Sequence, residues 1–258
     1  MAWSLLPLLL PLGLLAGLLS GLLGIGGGLV FSPLLLLLGL SPHAALATST
    51  VAIVPTTFGG TWAHLRNRTL PLRSGLAIGL GAATGGGLFS HLGFGLQGWV
   101  LLALQGAMYG LLSLVIRARL DLPTSPERRE SPRDLAGLAG VGVVAGLASG
   151  MLGVGGGLVM VPLMVRLLAV PVHLAIRFST LAVLMASATA SLAFLQDGRA
   201  LLPVGLLLGC TAAVGAQWSA QRLNRVPEQR LVWLLRSFTL FLAIDSARRA
   251  LQLLLAGP

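Results

Sequence analysis

The stretch GLLSGLLGIGGGLVFSP, Gly17 to Pro33, recurs as GLASGMLGVGGGLVMVP, Gly146 to Pro162. At one constant offset, fifteen of the twenty-three positions from 13 to 35 are identical, including Ser20/Ser149, Pro33/Pro162 and seven glycines. Chance similarity between two apolar segments gives Leu-for-Leu matches, not a shared glycine ladder. A one-residue shift then aligns His43 with His173 and Ser49-Thr50 with Ser179-Thr180. The chain reads as a duplication.

The surroundings of the two copies set the class. Of 258 residues, 55% are hydrophobic and 9% charged, with mean hydropathy +0.92. A soluble domain carries about 25% charged residues, so these few cannot cover a water-facing surface, and lipid must be the solvent. Uninterrupted apolar runs at 43–62, 72–91, 97–117, 173–195, 200–221 and 229–254 have the roughly 20 residues that cross a bilayer. Two longer runs, 3–40 and 135–170, are broken by glycine. Only 118–134, with three prolines and eight charged residues, is a clear polar linker. The organisation expected is an N-terminal transmembrane repeat (1–117), a cytoplasmic linker (118–134) and a C-terminal repeat (135–258). The first apolar run resembles a signal peptide in length, but it lacks a basic n-region and its motif recurs mid-chain, so it is kept as structure.

All seventeen basic residues are Arg, and the net charge is +10. They lie in short breaks between apolar runs, as topology signals and lipid-headgroup contacts do. No basic stripe is interleaved with aromatics, so nucleic acid is not an expected partner. Cys210 is the only cysteine, which excludes an intrachain disulfide and a CxxC metal site. In its apolar segment it is expected to serve as a small hydrophobe.

Run 3–40 would be about 57 Å long as one helix, nearly twice the membrane core. If it re-enters, each repeat crosses three times and the copies are inverted; if it spans, each crosses four times and they are parallel. Inverted copies place thirteen Arg inside and three outside, and parallel copies eleven and five. The positive-inside rule favours inversion. The fold class expected is an all-α polytopic membrane protein of two homologous repeats, each a glycine-broken first helix plus three transmembrane helices.

The runs Gly26-Gly27-Gly28 and Gly155-Gly156-Gly157 are the first functional candidates. Glycine is unfavourable within a helix by about 1 kcal/mol relative to Ala, so three in a row unwind it. Unwound backbone in a bilayer is tolerated only when buried in protein or lining a wet cavity. Helices restarting at Leu29 and Leu158 present free N–H groups and a positive dipole end, a site for an anion. By contrast, Gly13, Gly17, Gly21 and Gly142, Gly146, Gly150 form GxxxG ridges that suit close helix packing. The run lacks the lysine and strand–turn–helix context of a nucleotide loop.

Ser49, Thr50, Ser179 and Thr180, with Thr48, open the following helices and either cap them or donate to a substrate oxygen. Arg177 is placed to attract an anion or to anchor the inside face; Ala47 stands in its place in the first copy. His43 and His173 are proton-coupling candidates or interfacial hydrogen-bonding residues. Asp245, a carboxylate inside an apolar run, is a third such candidate, although Arg248 and Arg249 share its helical face and an ion pair explains all three. No metal site, cofactor or catalytic residue is expected, because converging His, Asp or Glu are lacking.

These motifs resemble the TauE/SafE family of sulfite and sulfonate exporters. The resemblance rests on Gly17 to Pro33 with Pro42 to Thr50, on Gly146 to Pro162 with Pro171 to Thr180, and on the short turns His64-Leu65-Arg66-Asn67-Arg68 and Asp197-Gly198-Arg199. It covers nearly the whole chain outside the linker. It implies transport of a small sulfur-containing or organic anion across the bacterial inner membrane, coupled to H+ or another ion. Two departures stand out: Phe178 where the first copy has Thr48, and Arg177 where a small residue is usual. Alternating access, with one repeat rocking against the other, is the expected mechanism; a passive channel is the rival.

Overall fold

A computed structural model describes residues 6–117, 132–153 and 155–255. The linker, apart from its last three residues, lies outside the described part. Within it the chain is helical throughout: α1 (Leu6–Leu23), α2 (Gly28–Leu37), α3 (Pro42–Arg66), α4 (Leu72–Phe94), α5 (Gly98–Arg117), α6 (Pro132–Leu152), α7 (Gly157–Leu167), α8 (Val172–Gln196), α9 (Leu202–Ala220) and α10 (Glu228–Leu255). One 3-10 turn, Leu223–Arg225, precedes α10. No strand occurs among the described residues.

The outer surface is apolar. Leu88, Val214, Trp233, Phe241 and Ile244 are all more than 60% exposed, on a scale that water-soluble monomers rarely present. Cys210 is exposed among them, between Leu206 and Val214 on the outward stripe of α9. Three described helices, Asp134–Leu152, Val172–Gln196 and Leu202–Ala220, are long and apolar enough by composition to cross a bilayer. Although α3 has the length, threonines, glycines and prolines dilute its apolar residues. Its run from Ala45 to Ile53 is wholly buried by neighbouring helices, so threonines and small residues serve where a lipid-facing helix needs Leu.

Glycine sets which helices meet. A Cβ on Gly17 would overlap the Ala212 carbonyl of α9, and Gly13 and Gly21 press on Thr211 and Ser219. In the same way Gly142, Gly146 and Gly150 of α6 press on the α4 backbone at Ile78, Ala82 and Gly86. Residue numbers rise together along both contacts, so α1 runs parallel to α9 and α6 parallel to α4. The expectation of a packing role for these six glycines is met. Each contact joins the first half of the chain to the second.

Two central helices, α3 and α8, run antiparallel. Gly60 faces Thr180, and Ile53 and Val183 meet across Gly26. The start of α8 meets the loop after α3, where Arg177 Nη1 donates to the Thr69 carbonyl at 2.9 Å. The start of α3 meets the loop after α8, where the Leu201 N–H donates to Thr48 Oγ1 at 3.0 Å. Thus one end of the bundle gathers the α3–α4 loop, the start of α8 and the turn before α10, and carries Arg66, Arg68, Arg177, Arg222 and Arg225. We call it the arginine-rich end.

At both glycine breaks the chain doubles back. Gly24 lies beside Ile176, whereas Gly26 lies deeper, beside Val183. Gly153 lies beside Leu46 and Thr50, Gly155 beside Val183 and Gly157 beside Ser179. From Gly155 to Gly157 the chain therefore retreats along α8, against the direction of α6.

Candidate functional site

The two breaks touch each other at the centre of the bundle. The Cβ position of Gly157 falls on the Gly24 carbonyl oxygen and 2.8 Å from Ile25 Cα, and that of Gly155 falls 3.1 Å from the Ile25 carbonyl oxygen. Side chains at either glycine would push the breaks apart. Ile25, Ile53 and Val183 complete the contact, all fully buried.

Positive φ makes these turns. Gly24, Gly26 and Gly27 have φ of 67°, 77° and 81°, and Gly153, Gly155 and Gly156 have 62°, 85° and 65°, values that a residue with a Cβ adopts only at a cost. Each helix before a break closes with the same bond: Gly24 N–H to Ser20 O at 2.8 Å and Gly153 N–H to Ser149 O at 3.0 Å. The helices after the breaks, α2 and α7, begin at Gly28 and Gly157, and no side chain caps either one. Val30 and Val159 N–H already donate to the Gly27 and Gly156 carbonyls at 2.9 and 3.0 Å, and Gly157 N–H to the Gly155 carbonyl at 2.8 Å; the Gly28 and Leu29 N–H groups at the start of α2, inside the protein, have no acceptor within the helix.

The hydroxyls act on the breaks in a way not anticipated. Ser49 Oγ donates to the Gly153 carbonyl at 3.1 Å, and Ser179 Oγ donates to the Gly24 carbonyl at 2.6 Å. Each serine thus secures the break of the opposite half. Thr50 and Thr180 donate to the Leu46 and Ile176 carbonyls, four residues back in their own helices, both at 2.8 Å. All four hydroxyls are buried. In this arrangement their protons are committed to backbone carbonyls, leaving the backbone N–H groups as the donors at the breaks.

The structure does not bring Arg177 to the breaks. Its guanidinium spans the loop regions, donating to Thr69 O and, at 2.5 Å, to Asn224 Oδ1. His43 and His173 stand at opposite ends of the bundle in matched roles. His43 Nε2 bonds the Leu96 carbonyl at 2.9 Å and His173 Nε2 bonds the Val226 carbonyl at 3.0 Å, each 53 residues along. Both tie the start of a central helix to the turn before the last helix of a half. His173 also contacts Glu228 through Nδ1 at 3.1 Å, an acidic neighbour that sequence proximity concealed. Asp245 is held by Arg249 at 2.7 Å, with Arg248 at 3.8 Å. Among the described residues no group of three His, Cys, Asp or Glu gathers to hold a metal.

One residue escaped the sequence reading. His64 is 2% exposed, and its Nε2 has no hydrogen-bond partner. It lies within electrostatic reach of Arg177. Its position in a short basic turn hid it; the signal was that its counterpart in the second copy, at the offset relating His43 to His173, is Phe194.

Comparison with known proteins agrees with this architecture. The family profile described as "Sulfite exporter TauE/SafE" matches residues 9–246. A "Probable membrane transporter protein" of Xylella fastidiosa (strain 9a5c) is 36% identical over 166 residues, 62% of this chain and 63% of that protein. The chain thus spans about 63% of the length of the Xylella relatives it matches. The "Probable membrane transporter protein YunE" of Bacillus subtilis (strain 168) is 26% identical over 242 residues, 83% of this chain and 87% of that protein. No solved structure matches. A helical chain with lipid-type outer surfaces, two crossed glycine breaks and a match spanning nearly its whole length belongs to the TauE/SafE sulfite exporter family.

Proposed function

We propose that the chain is a multi-pass secondary transporter of the bacterial inner membrane, moving a small sulfur-containing or organic anion such as sulfite, thiosulfate or sulfoacetate by alternating access. The observation that carries this reading is the contact between the two breaks, Gly155 and Gly157 against Gly24 and Ile25, beside which α2 and α7 restart without a side-chain cap. Gly26, Gly27, Gly28, Gly155, Gly156 and Gly157 supply the backbone of the breaks, whose uncommitted N–H groups and dipole ends attract an anion. Ser49 and Ser179 hold the break carbonyls by hydrogen bonds, which keeps the negative ends of those dipoles from facing the substrate. Thr50 and Thr180 bend and brace the same helices, and Arg177 adds positive charge one turn outward.

The two halves are read as inverted repeats. Antiparallel α3 and α8, opposite α1 and α6, and the reversal at both breaks support that orientation, and the arginine-rich end is then cytoplasmic. The bodies that rock differ from the two halves of the sequence. The packing favours α1, α2, α3 and α9 as one body and α6, α7, α8 and α4 as the other, each drawn from both halves. Proton coupling is assigned to the candidates His43, His173 and Asp245; His173 beside Glu228 and Asp245 beside Arg249 already face opposite charge or its potential partner.

Uptake into proteoliposomes tests the reading. An imposed pH gradient should drive sulfite or thiosulfate above its equilibrium distribution, and replacing both Ser49 and Ser179 by Ala should reduce that uptake by about ten-fold or more through misplaced breaks. Equilibration without accumulation would instead identify a passive channel. Full uptake in the double variant would remove the breaks from the site.

A further inference from the structure

The two ends of the α3/α8 pair are built from corresponding residues with opposite chemistry. At the end away from the arginines, Ala47, Ala190 and Phe194 form a small dry cluster with Ala200 against it. The corresponding residues at the arginine-rich end, by the offset that relates His43 to His173, are Arg177, Gly60 and His64. Here an apolar plug is replaced by a cation and an imidazole. Ser191, beside Phe194, spends its hydroxyl on the Ala188 carbonyl at 3.0 Å. Its counterpart Thr61, 3% exposed, has no partner for Oγ1.

Three polar groups with unused capacity therefore converge. Thr61 and His64 are three residues apart on α3 and share a face. That face meets the first turns of α8, since Gly60 opposes Thr180 and Arg177 lies one turn before Thr180. Thr69 joins the two: its N–H donates to the His64 carbonyl at 3.0 Å, and its carbonyl accepts from Arg177 at 2.9 Å. Arg177 has five N–H donors, and two are committed, both to neutral oxygens. No carboxylate forms an ion pair with it among the described residues. An unpaired cation and two buried, unpartnered polar atoms are unfavourable unless something fills their bonds.

We propose that Arg177, His64 and Thr61 form a binding site for a small oxyanion at the arginine-rich mouth, one turn of α8 outward of the glycine breaks. With its proton on Nε2, His64 donates one hydrogen bond, Thr61 a second and the free guanidinium N–H groups two more. That suits a compact anion with three or four oxygens. The Phe194 cluster leaves the opposite mouth without such a site, so the two ends of the path differ in affinity. This inference rests on the transporter reading. A lipid phosphate shares the same chemistry, and the test separates the two sources.

The experiment measures thermal stability of the full purified chain in a neutral detergent, titrated with sulfite, thiosulfate, sulfate or sulfoacetate and, separately, with phosphatidylglycerol or phosphatidylcholine. Ligand that binds the folded state raises the midpoint with concentration and yields Kd. Arg177→Ala and His64→Phe install the residues of the opposite end; Thr61→Val, His64→Gln and Arg177→Lys are milder. At least one soluble anion should stabilise the wild type. Arg177→Ala, His64→Phe and Thr61→Val should weaken it by about ten-fold or more, with Arg177→Lys and His64→Gln intermediate. Variants whose ligand-free melting is unchanged but which bind as tightly as wild type overturn the site while leaving the transporter reading intact. Stabilisation by phosphatidylglycerol alone also overturns it, as a lipid contact. If no soluble anion stabilises the wild type, both readings fall. If Arg177→Ala does not fold, Thr61→Val and His64→Gln decide the matter.

Discussion

Gly17→Ala is a small change with a calculable consequence. The added methyl would sit on the Ala212 carbonyl oxygen, 2.6 Å from its carbon and 2.7 Å from Cα. These are backbone atoms, so no rotamer change relieves the overlap. Carbon pairs settle at about 3.5–4.0 Å, so α1 and α9 must part locally by about 1 Å. A gap of that size forfeits roughly a quarter to a half of the dispersion attraction between facing atoms, and overpacking of this kind costs about 1–3 kcal/mol. Alanine returns up to about 1 kcal/mol of helix propensity, leaving a net loss of up to about 2 kcal/mol when that return is complete. Gly110 of α5 and Gly140 of α6 are the internal controls, since nothing lies within 4 Å of their Cβ positions. Alanine there should be neutral or stabilising by up to about 1 kcal/mol. Melting temperatures in detergent, with a denaturant titration for the free energy, read all three. If Gly17→Ala is as stable as Gly140→Ala, the close-packing account of the glycine ladder is wrong.

Other expectations follow from single contacts. Ser49→Ala and Ser179→Ala each leave a buried carbonyl unpaired and should each destabilise by about 1–3 kcal/mol, measured by the same melts; wild-type stability in both would show that these bonds are unimportant. Arg249→Ala strands the partly buried Asp245 carboxylate and should cost more than Arg248→Ala, whose side chain is 66% exposed; equal effects would contradict the pairing. His43→Ala removes a tie to the Leu96 carbonyl and should lower stability by about 1 kcal/mol without changing anion Kd, which the ligand titration checks. Cys210, on the outward face of α9, should react with an apolar maleimide and resist a charged, impermeant one in liposomes; rapid labelling by the charged reagent would place that face in water.

The recurring motif was legible because glycine, serine and proline return at fixed spacing, and such residues are too costly in helices to repeat by accident. The packing of Gly17 and Gly146 was legible for the same reason. The crossing of the breaks was not. Ser49 and Ser179 bond to backbone carbonyls, Gly153 O and Gly24 O, which every residue carries and no sequence marks. Arg177 looked like a ligand for the breaks because it stands two residues before Ser179, yet a side chain of that length reaches back to the Thr69 loop. The ion pair at Asp245 was visible because its partners lie within one helical turn, whereas Glu228 lies 55 residues from His173 and meets it only after the last helix has folded back.

The interleaving of the halves has a consequence for biogenesis. As the chain is made, α1 enters the bilayer with its glycine face open and Ser49 follows, but Ala212 lies 195 residues beyond Gly17 and the Gly153 carbonyl 104 residues beyond Ser49. Until α6 and α9 arrive, the first half holds a notch with no occupant and a hydroxyl with no assigned acceptor. It must idle in the membrane as a half-closed clasp, and lipid or insertion factors must occupy that groove meanwhile. A chain arrested between α5 and α6 is therefore expected to be cleaved faster by protease than the finished protein, because the first half's packing partners lie in the second.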